Sequence, residues 1–304
     1  MGQRNRIFTS MTRQNMPLAG ESSQESIAEL LGDVEGLVSP PDVCLRLFEL
    51  IHSPSSGAKE ISGVVSVDPN LTTRLLRMAN SSFYNFSRKI DTISRAVTVI
   101  GNAELYQLVL SISAVKTFNT IPNELVTMET FWRHSVYTGL LARGIAVRAN
   151  VLHPERLFVA GLMHDIGSII LYHQRPDAMR DILLVAEGDE EVLYQAELER
   201  FHFSHASIAG HLMDQWQLPE ELVEAVKWHH DPQHADVARK EAHILYLANH
   251  LVNESEQGNF MGSPKAEIQI SQVMLGEIGL KEDELFFAFE EAAEQFPVTL
   301  QALI

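Results

Sequence analysis

The chain has 304 residues, 45% hydrophobic and 21% charged, with a formal net charge of -17 and one cysteine, Cys44. That is ordinary globular composition, long enough for two domains or for one with an appendage. A single cysteine excludes disulfide frameworks and cysteine-built zinc sites, and the acidic excess argues against general nucleic-acid binding.

Residues 1–24 are polar and without periodicity, and a mobile tail is expected there. This stretch has no apolar segment of the kind a secretory signal needs, and Arg6 stands where N-myristoylation wants Ser or Thr. No apolar run in the chain approaches the ~18–20 residues of a membrane span, so a soluble, cytoplasmic protein is expected. Helical periodicity then dominates. "PPDVCLRLFELIH" places Val43, Leu45, Leu47, Phe48, Leu50 and Ile51 in a 3-4 pattern behind Pro41, and Cys44 reads as a small core residue. "NLTTRLLRMAN" opens after Asp68-Pro69, a natural helix entry, and "SRAVTVIGNAELYQLVLSISAV" repeats the pattern around Gly101. Between Arg74 and Arg95 the charge reverses to +4, with Arg74, Arg77, Arg88, Lys89 and Arg95 against Asp91. The plain reading is a solvated face, and the sharper one a docking surface for an anionic ligand or partner.

Pro122 and Asn123 in "NTIPNELV", residues 119–126, suggest a boundary between two helical lobes. "FWRHSVYTGLLARGIAVRAN" is a long amphipathic helix, and "PERLFVAGLMHDIGSIILYH" reads as an apolar helix with His164 and Asp165 inside it. "SHASIAGHLMDQWQLPEELVEAVKWHH" reads as two helices meeting at Leu218-Pro219, and "EAHILYLANHLV" as another. A weaker boundary at residues 253–267 precedes an acidic tail helix. Residues 254–304 hold ten acidic side chains and two lysines, a net of -8. With no alternating strand pattern, the chain is expected to be all-α. The expected divisions are 1–24, 25–121, 122–255 and 256–304: tail, N-terminal helical lobe, second helical lobe and acidic C-terminal helical extension.

An ionised Asp165 in an apolar run needs a partner or a cation, because desolvating a lone carboxylate costs several kcal/mol. Successive helices offer His134, His164 with Asp165, His205, and His229 with His230. Such a set suits a divalent cation held in a bundle core. Imidazole favours iron, zinc, copper or nickel, and a carboxylate can bridge two ions. Two ions can activate a water and clamp a phosphoryl group. Read singly, a helical histidine is more often a packed or hydrogen-bonded residue. His52, His153, His173, His234, His243 and His250 take that reading, with His202 peripheral and His211 packing.

The order His134, His164-Asp165, His205, His229-His230 resembles the HD superfamily of metal-dependent phosphohydrolases. More specifically, "VSVDPNLTTRLLRMANSSFYNFSRKIDTISRAVTVIG", residues 65–101, resembles the signature of HDOD-domain proteins, bacterial relatives of the HD-GYP cyclic-di-GMP phosphodiesterases. "SPPDVCLRLFELI", "GLMHDIGSIIL", "SHASIAGHLMDQW" and "AVKWHHDP" follow the family's order, and the resemblance covers roughly residues 30–255.

The resemblance implies an all-α multi-helix bundle with a helical N-terminal lobe, and a regulatory or scaffolding role in bacterial signalling. It implies His134 as first metal ligand, His164 and Asp165 as the signature pair, Asp165 able to bridge two ions, and His205 with His229 or His230 as a second site. The metal would be one or two divalent ions: iron, manganese, nickel or zinc. Some positions depart from the family's enzymes. Asn249 stands where the last aspartate is expected, Ser168 replaces the lysine of HD-GYP enzymes, and no GYP motif follows "HHDP". Thr130, one turn before His134, disfavours a third ion. The expectation is a signalling module with a metal-binding pocket, little or no turnover and a protein partner. The alternative is a metal-dependent phosphohydrolase acting through Asp165 on a nucleotide, phosphodiester or other phosphorylated small molecule. A di-iron redox enzyme is a third reading.

Overall fold

The computed structural model describes residues 26–32, 40–53, 56–81, 83–84, 86–255 and 270–304. The expected tail at 1–24 and most of the expected break at 253–267 lie outside the described residues. All the regular structure described is helical: α1 (Ile27–Gly32), α2 (Asp42–His52), α3 (Ala58–Val65), α4 (Pro69–Ala79), α5 (Ile93–Ile100) and α6 (Asn102–Phe118) come first. They are followed by α7 (Met128–Arg148), α8 (Glu155–Met163), α9 (Ile166–Gln174), α10 (Pro176–Ala186) and α11 (Glu190–Phe201). The last are α12 (His205–Gln215), α13 (Glu220–Lys227), a 3-10 turn (Pro232–His234), α14 (Arg239–Asn253), α15 (Gln272–Ile278) and α16 (Glu282–Leu303).

Helix starts follow local chemistry. The Asp68 carboxylate accepts from the Asn70 and Leu71 amides ahead of Pro69, so α4 has both a cap and a pre-set first turn. Thr92, Thr127, Asp189 and Ser204 cap α5, α7, α11 and α12 in the same way. Between α6 and α7, the Asn123 side chain accepts from the Leu125 and Val126 amides and closes a turn.

Helix α7 is the centre of the molecule. It is buried along most of its length and packs on α8, α14 and α16. A helix apolar on nearly every side belongs in the interior, and α6 is buried in the same manner. One cluster of buried apolar side chains runs from Leu30 to Leu303. The N-terminal helices join it through α6 on α8, Phe83 on Phe158 at 4.7 Å, and Arg143, whose guanidinium lies 4.1 Å from the Phe83 ring centroid. No described helix is long and apolar enough to cross a membrane.

The α7–α8 crossing is close because two glycines meet there. A Cβ on Gly139 would lie 2.6 Å from the Phe158 carbonyl oxygen, and one on Gly161 would lie 2.5 Å from the Gly139 Cα. This approach brings His134 on α7 alongside His164 at the end of α8.

The apolar stretch 154–173 differs from the expected unbroken helix. It breaks at His164-Asp165, where Asp165 adopts φ -101° and ψ 5° before α9 begins. Within one helix, adjacent residues diverge by about 100°. The break instead lets two neighbouring side chains enter the same pocket.

Candidate metal centre

Four elements deliver the pocket. His134 comes from the middle of α7, His164 and Asp165 from the α8–α9 break, His205 from the first position of α12, and His229 and His230 from the turn after α13. The sequence therefore named six side chains that the fold brings together. His134, His164 and His229 are fully buried, Asp165 is 3% exposed and His205 2%.

Asp165 lies between two groups of imidazoles. Its Oδ2 is 3.0 Å from His164 Nε2 and 3.5 Å from His134 Nε2. Its Oδ1 is 3.4 Å from His205 Nε2 and 3.8 Å from His229 Nε2. His134 and His164 Nε2 stand 3.3 Å apart, and His205 and His230 Nε2 stand 3.0 Å apart. In each of two donor sets, His134, His164, Asp165 and His205, His229, His230, the ligand atoms lie within 4.8 Å of one another.

The opposite ring nitrogens fix this orientation. His164 Nδ1 donates to the Gly161 carbonyl at 2.8 Å, and His229 Nδ1 to the Val226 carbonyl at 2.7 Å. A carbonyl only accepts, so in a neutral ring Nε2 is left as a bare lone pair. Both lone pairs then aim at a carboxylate, which is also an acceptor. His229 Nε2 is buried with no hydrogen-bond partner. Facing acceptors need positive charge between them, supplied by a proton or by a metal ion, and imidazoles held by their outer nitrogen are the usual outer shell of a metal site. The donor set thus fits one or two divalent ions.

The protonation pattern agrees. Burial disfavours the imidazolium of His205, but Glu197 and then Asp165 outweigh it, and its pKa is pushed up to about 9. His164 is also raised, burial being overcome by Asp165. Asp165 is held well below the usual carboxylate range because His164, His205 and His134 outweigh its burial. His229 and His230 are driven well down, first by burial and then by neighbouring imidazoles. In the metal-free pocket, a proton on His205 supplies positive charge.

Sequence reasoning missed three residues. Glu197, fully buried on α11, accepts from the His205 amide at 2.8 Å and from its Nδ1 at 2.7 Å. Tyr194 stacks on His230 with centroids 4.7 Å apart. Glu190 accepts from Asn249 Nδ2 at 2.7 Å, and its pKa is raised to about 7 by burial and then by Asp165. All three lie in "EEVLYQAELERF", a stretch the sequence reading did not single out; only Glu197's spacing of eight residues before His205 hints at its role.

The departures can be located too. Ser168 is buried beside the Tyr172 phenol. Thr130 is taken up at the α7 cap, its hydroxyl 2.6 Å from that of Thr127. The remaining histidines make contacts away from the pocket: His52 to the Phe48 carbonyl, His153 to Glu155, His173 to the Pro122 carbonyl, His211 to Gln215, His234 to Asp231, and His243 to Gln233 and the Arg239 carbonyl. His202 ends α11 in the left-handed region, and His250 lies 3.9 Å from Glu254. Of the basic stretch, Arg77, Arg88 and Lys89 are exposed, whereas Arg74 donates to the Leu303 and Ile304 carbonyls.

The family model of the HDOD domain matches residues 37–232. The chain belongs to the HDOD family. An uncharacterized protein of Treponema pallidum (strain Nichols) is 24% identical to this HDOD protein over 211 residues, 69% of this chain and 40% of that one. The match thus spans less than half of that relative.

Among solved structures, an HDOD domain protein of unknown function from Geobacter sulfurreducens superposes with a TM-score of 0.71 at 24% identity. That likeness covers 91% of this chain and 95% of the other. A provisionally named phosphohydrolase from Shewanella amazonensis SB2B gives 0.68 at 24% identity, covering 90% and 98%. A provisionally named signal transduction protein from Marinobacter aquaeolei VT8 gives 0.66 at 18%, covering 92% and 66%. At these identities the shared property is the all-helical HDOD fold.

Proposed function

We propose that this HDOD protein is a signal-transduction module whose pocket holds one or two divalent ions as a closed centre, with little or no turnover. The observation that carries this reading is burial. Five of the six donor residues are 3% exposed or less, and only His230 is partly open. Structural metal sites close around their ion, whereas catalytic ones keep a position open to substrate. Ser168 offers no cation to a substrate phosphate, and Asn249 is engaged with Glu190. His134, His164, Asp165, His205, His229 and His230 are the ligands on this reading. Bound ions would supply positive charge that ties four segments of the bundle together. Arg77, Arg88 and Lys89 offer an acidic partner a cationic face remote in sequence from the centre.

One feature supports the phosphohydrolase alternative. Asp165 presents one oxygen to each group of imidazoles, the placement of a carboxylate bridging two ions. The two readings part on turnover. Protein purified without a His-tag should contain bound divalent metal, yet hydrolyse bis(p-nitrophenyl) phosphate no faster than Asp165→Ala. Metal-dependent hydrolysis that this substitution abolishes would decide for the enzyme.

A further inference from the structure

The two donor groups are unequal in charge. His134, His164 and Asp165 include a carboxylate, whereas His205, His229 and His230 are three imidazoles. Behind the second group stands Glu197. Its Oε2 accepts from the His205 amide at 2.8 Å and from His205 Nδ1 at 2.7 Å. The side chain is fully buried, and Oε1 has no hydrogen-bond partner among the described residues. Among those residues it forms an ion pair with His205 and with no lysine or arginine. His164 and His229 are held differently, each by a neutral backbone carbonyl, that of Gly161 at 2.8 Å and that of Val226 at 2.7 Å.

We propose that Glu197 is the positioning residue of a second ion site, fixing His205 through Nδ1 and supplying the negative charge that His205, His229 and His230 do not carry. The inference rests on the metal reading above and assigns the second group's charge to a residue outside the ligand set. A buried carboxylate is unfavourable unless positive charge compensates it. For Glu197 that charge lies on or beyond the His205 ring. Nε2, on the far side of that ring, is 3.0 Å from His230 Nε2 and 3.4 Å from Asp165 Oδ1. Glu197 thus aims His205 into the second group. By accepting the Nδ1 proton it also strengthens Nε2 as a ligand. The first group takes its charge directly from Asp165.

The alternative is that Glu197 only pairs with a protonated His205. Such a pair holds a proton where an ion would bind, so losing the charge would leave ion binding unchanged or tighten it. Glu197→Gln separates the two roles, because the amide oxygen still accepts from His205 while the charge is lost. Manganese(II) is titrated into the full, metal-free chain and the free ion followed by electron paramagnetic resonance. The bound metal gives a second readout: neighbouring ions are spin-coupled, whereas a lone ion shows the hyperfine pattern of isolated manganese. Circular dichroism melts in chelator confirm folding.

Wild type should bind two ions with a coupled spectrum. Glu197→Gln should bind the second about tenfold more weakly, as loss of a group behind a ligand does, and show isolated manganese once the first site is filled. Glu197→Asp, which keeps the charge, should bind the second ion more tightly than Glu197→Gln. If Glu197→Gln binds both ions as wild type does, or more tightly, Glu197 is an ion-pair partner alone, and the proposal falls while the centre stands. A wild type that takes up a single ion at saturating manganese also overturns it. If wild type binds none, the metal reading fails and the proposal with it. Should Glu197→Gln not fold, the anomalous map of wild-type crystals grown with manganese(II) decides. An ion at His205 Nε2 with Nδ1 still on Glu197 supports the proposal, and no ion there overturns it.

Discussion

At the scale of the residue, the interactions converge on Asp165 and are set by what stands behind the imidazoles. Glu197 holds His205 by two hydrogen bonds and keeps it protonated when no metal is present. The folded pKa of His205, about 9, lies above its ordinary 6.5. Its contribution to stability is therefore complete below pH 6.5 and is lost as pH rises through about 9. Glu197→Gln breaks a buried ion pair and should cost about 3 kcal/mol in metal-free protein at about pH 6. The deficit should shrink above about pH 9. Urea unfolding at both pH values checks this, and an equal gap at both would contradict it. The imidazoles themselves were legible, since each stands at a helix start, a helix end or within an apolar stretch. Glu197 and Glu190 were not, because a buried glutamate in a charged helix has the same local pattern as an exposed one.

At the scale of the element, the centre depends on a helix that stops. The apolar period runs unbroken through residues 155–173, and because both halves are buried, periodicity gives no sign of the break at Asp165. Gly167 shows why the break must be tight: a Cβ there would lie 2.1 Å from the His205 carbonyl oxygen. Gly167→Ala should push α9 from α12, costing about 2 kcal/mol as overpacking does and displacing His205. Thermal melts would read the first effect and manganese affinity the second. A stable, fully metal-binding variant would show that the contact is not needed. The start of α4, by contrast, was plain from Asp68-Pro69, where the Asp68 side chain satisfies the first amides.

At the scale of the whole molecule, the acidic last helix is part of the core. Helix α16 lies along α7, with Phe289 and Phe296 on Tyr137 and Glu291 bound to Arg148 at 3.0 Å. Periodicity showed a helix there but not its seat, because pairing between helices far apart in the chain leaves no local mark. The same long-range packing gathers five imidazoles from separate segments around one carboxylate, and the central claim is that a divalent cation sits among them. Diffraction from crystals of tag-free protein grown with manganese(II), collected at the manganese absorption edge, tests this most directly. The account predicts an anomalous peak within coordination distance of the Asp165 carboxylate and His164 Nε2. A pocket without anomalous signal, its Nε2 atoms bonded to water or turned away from Asp165, would contradict it.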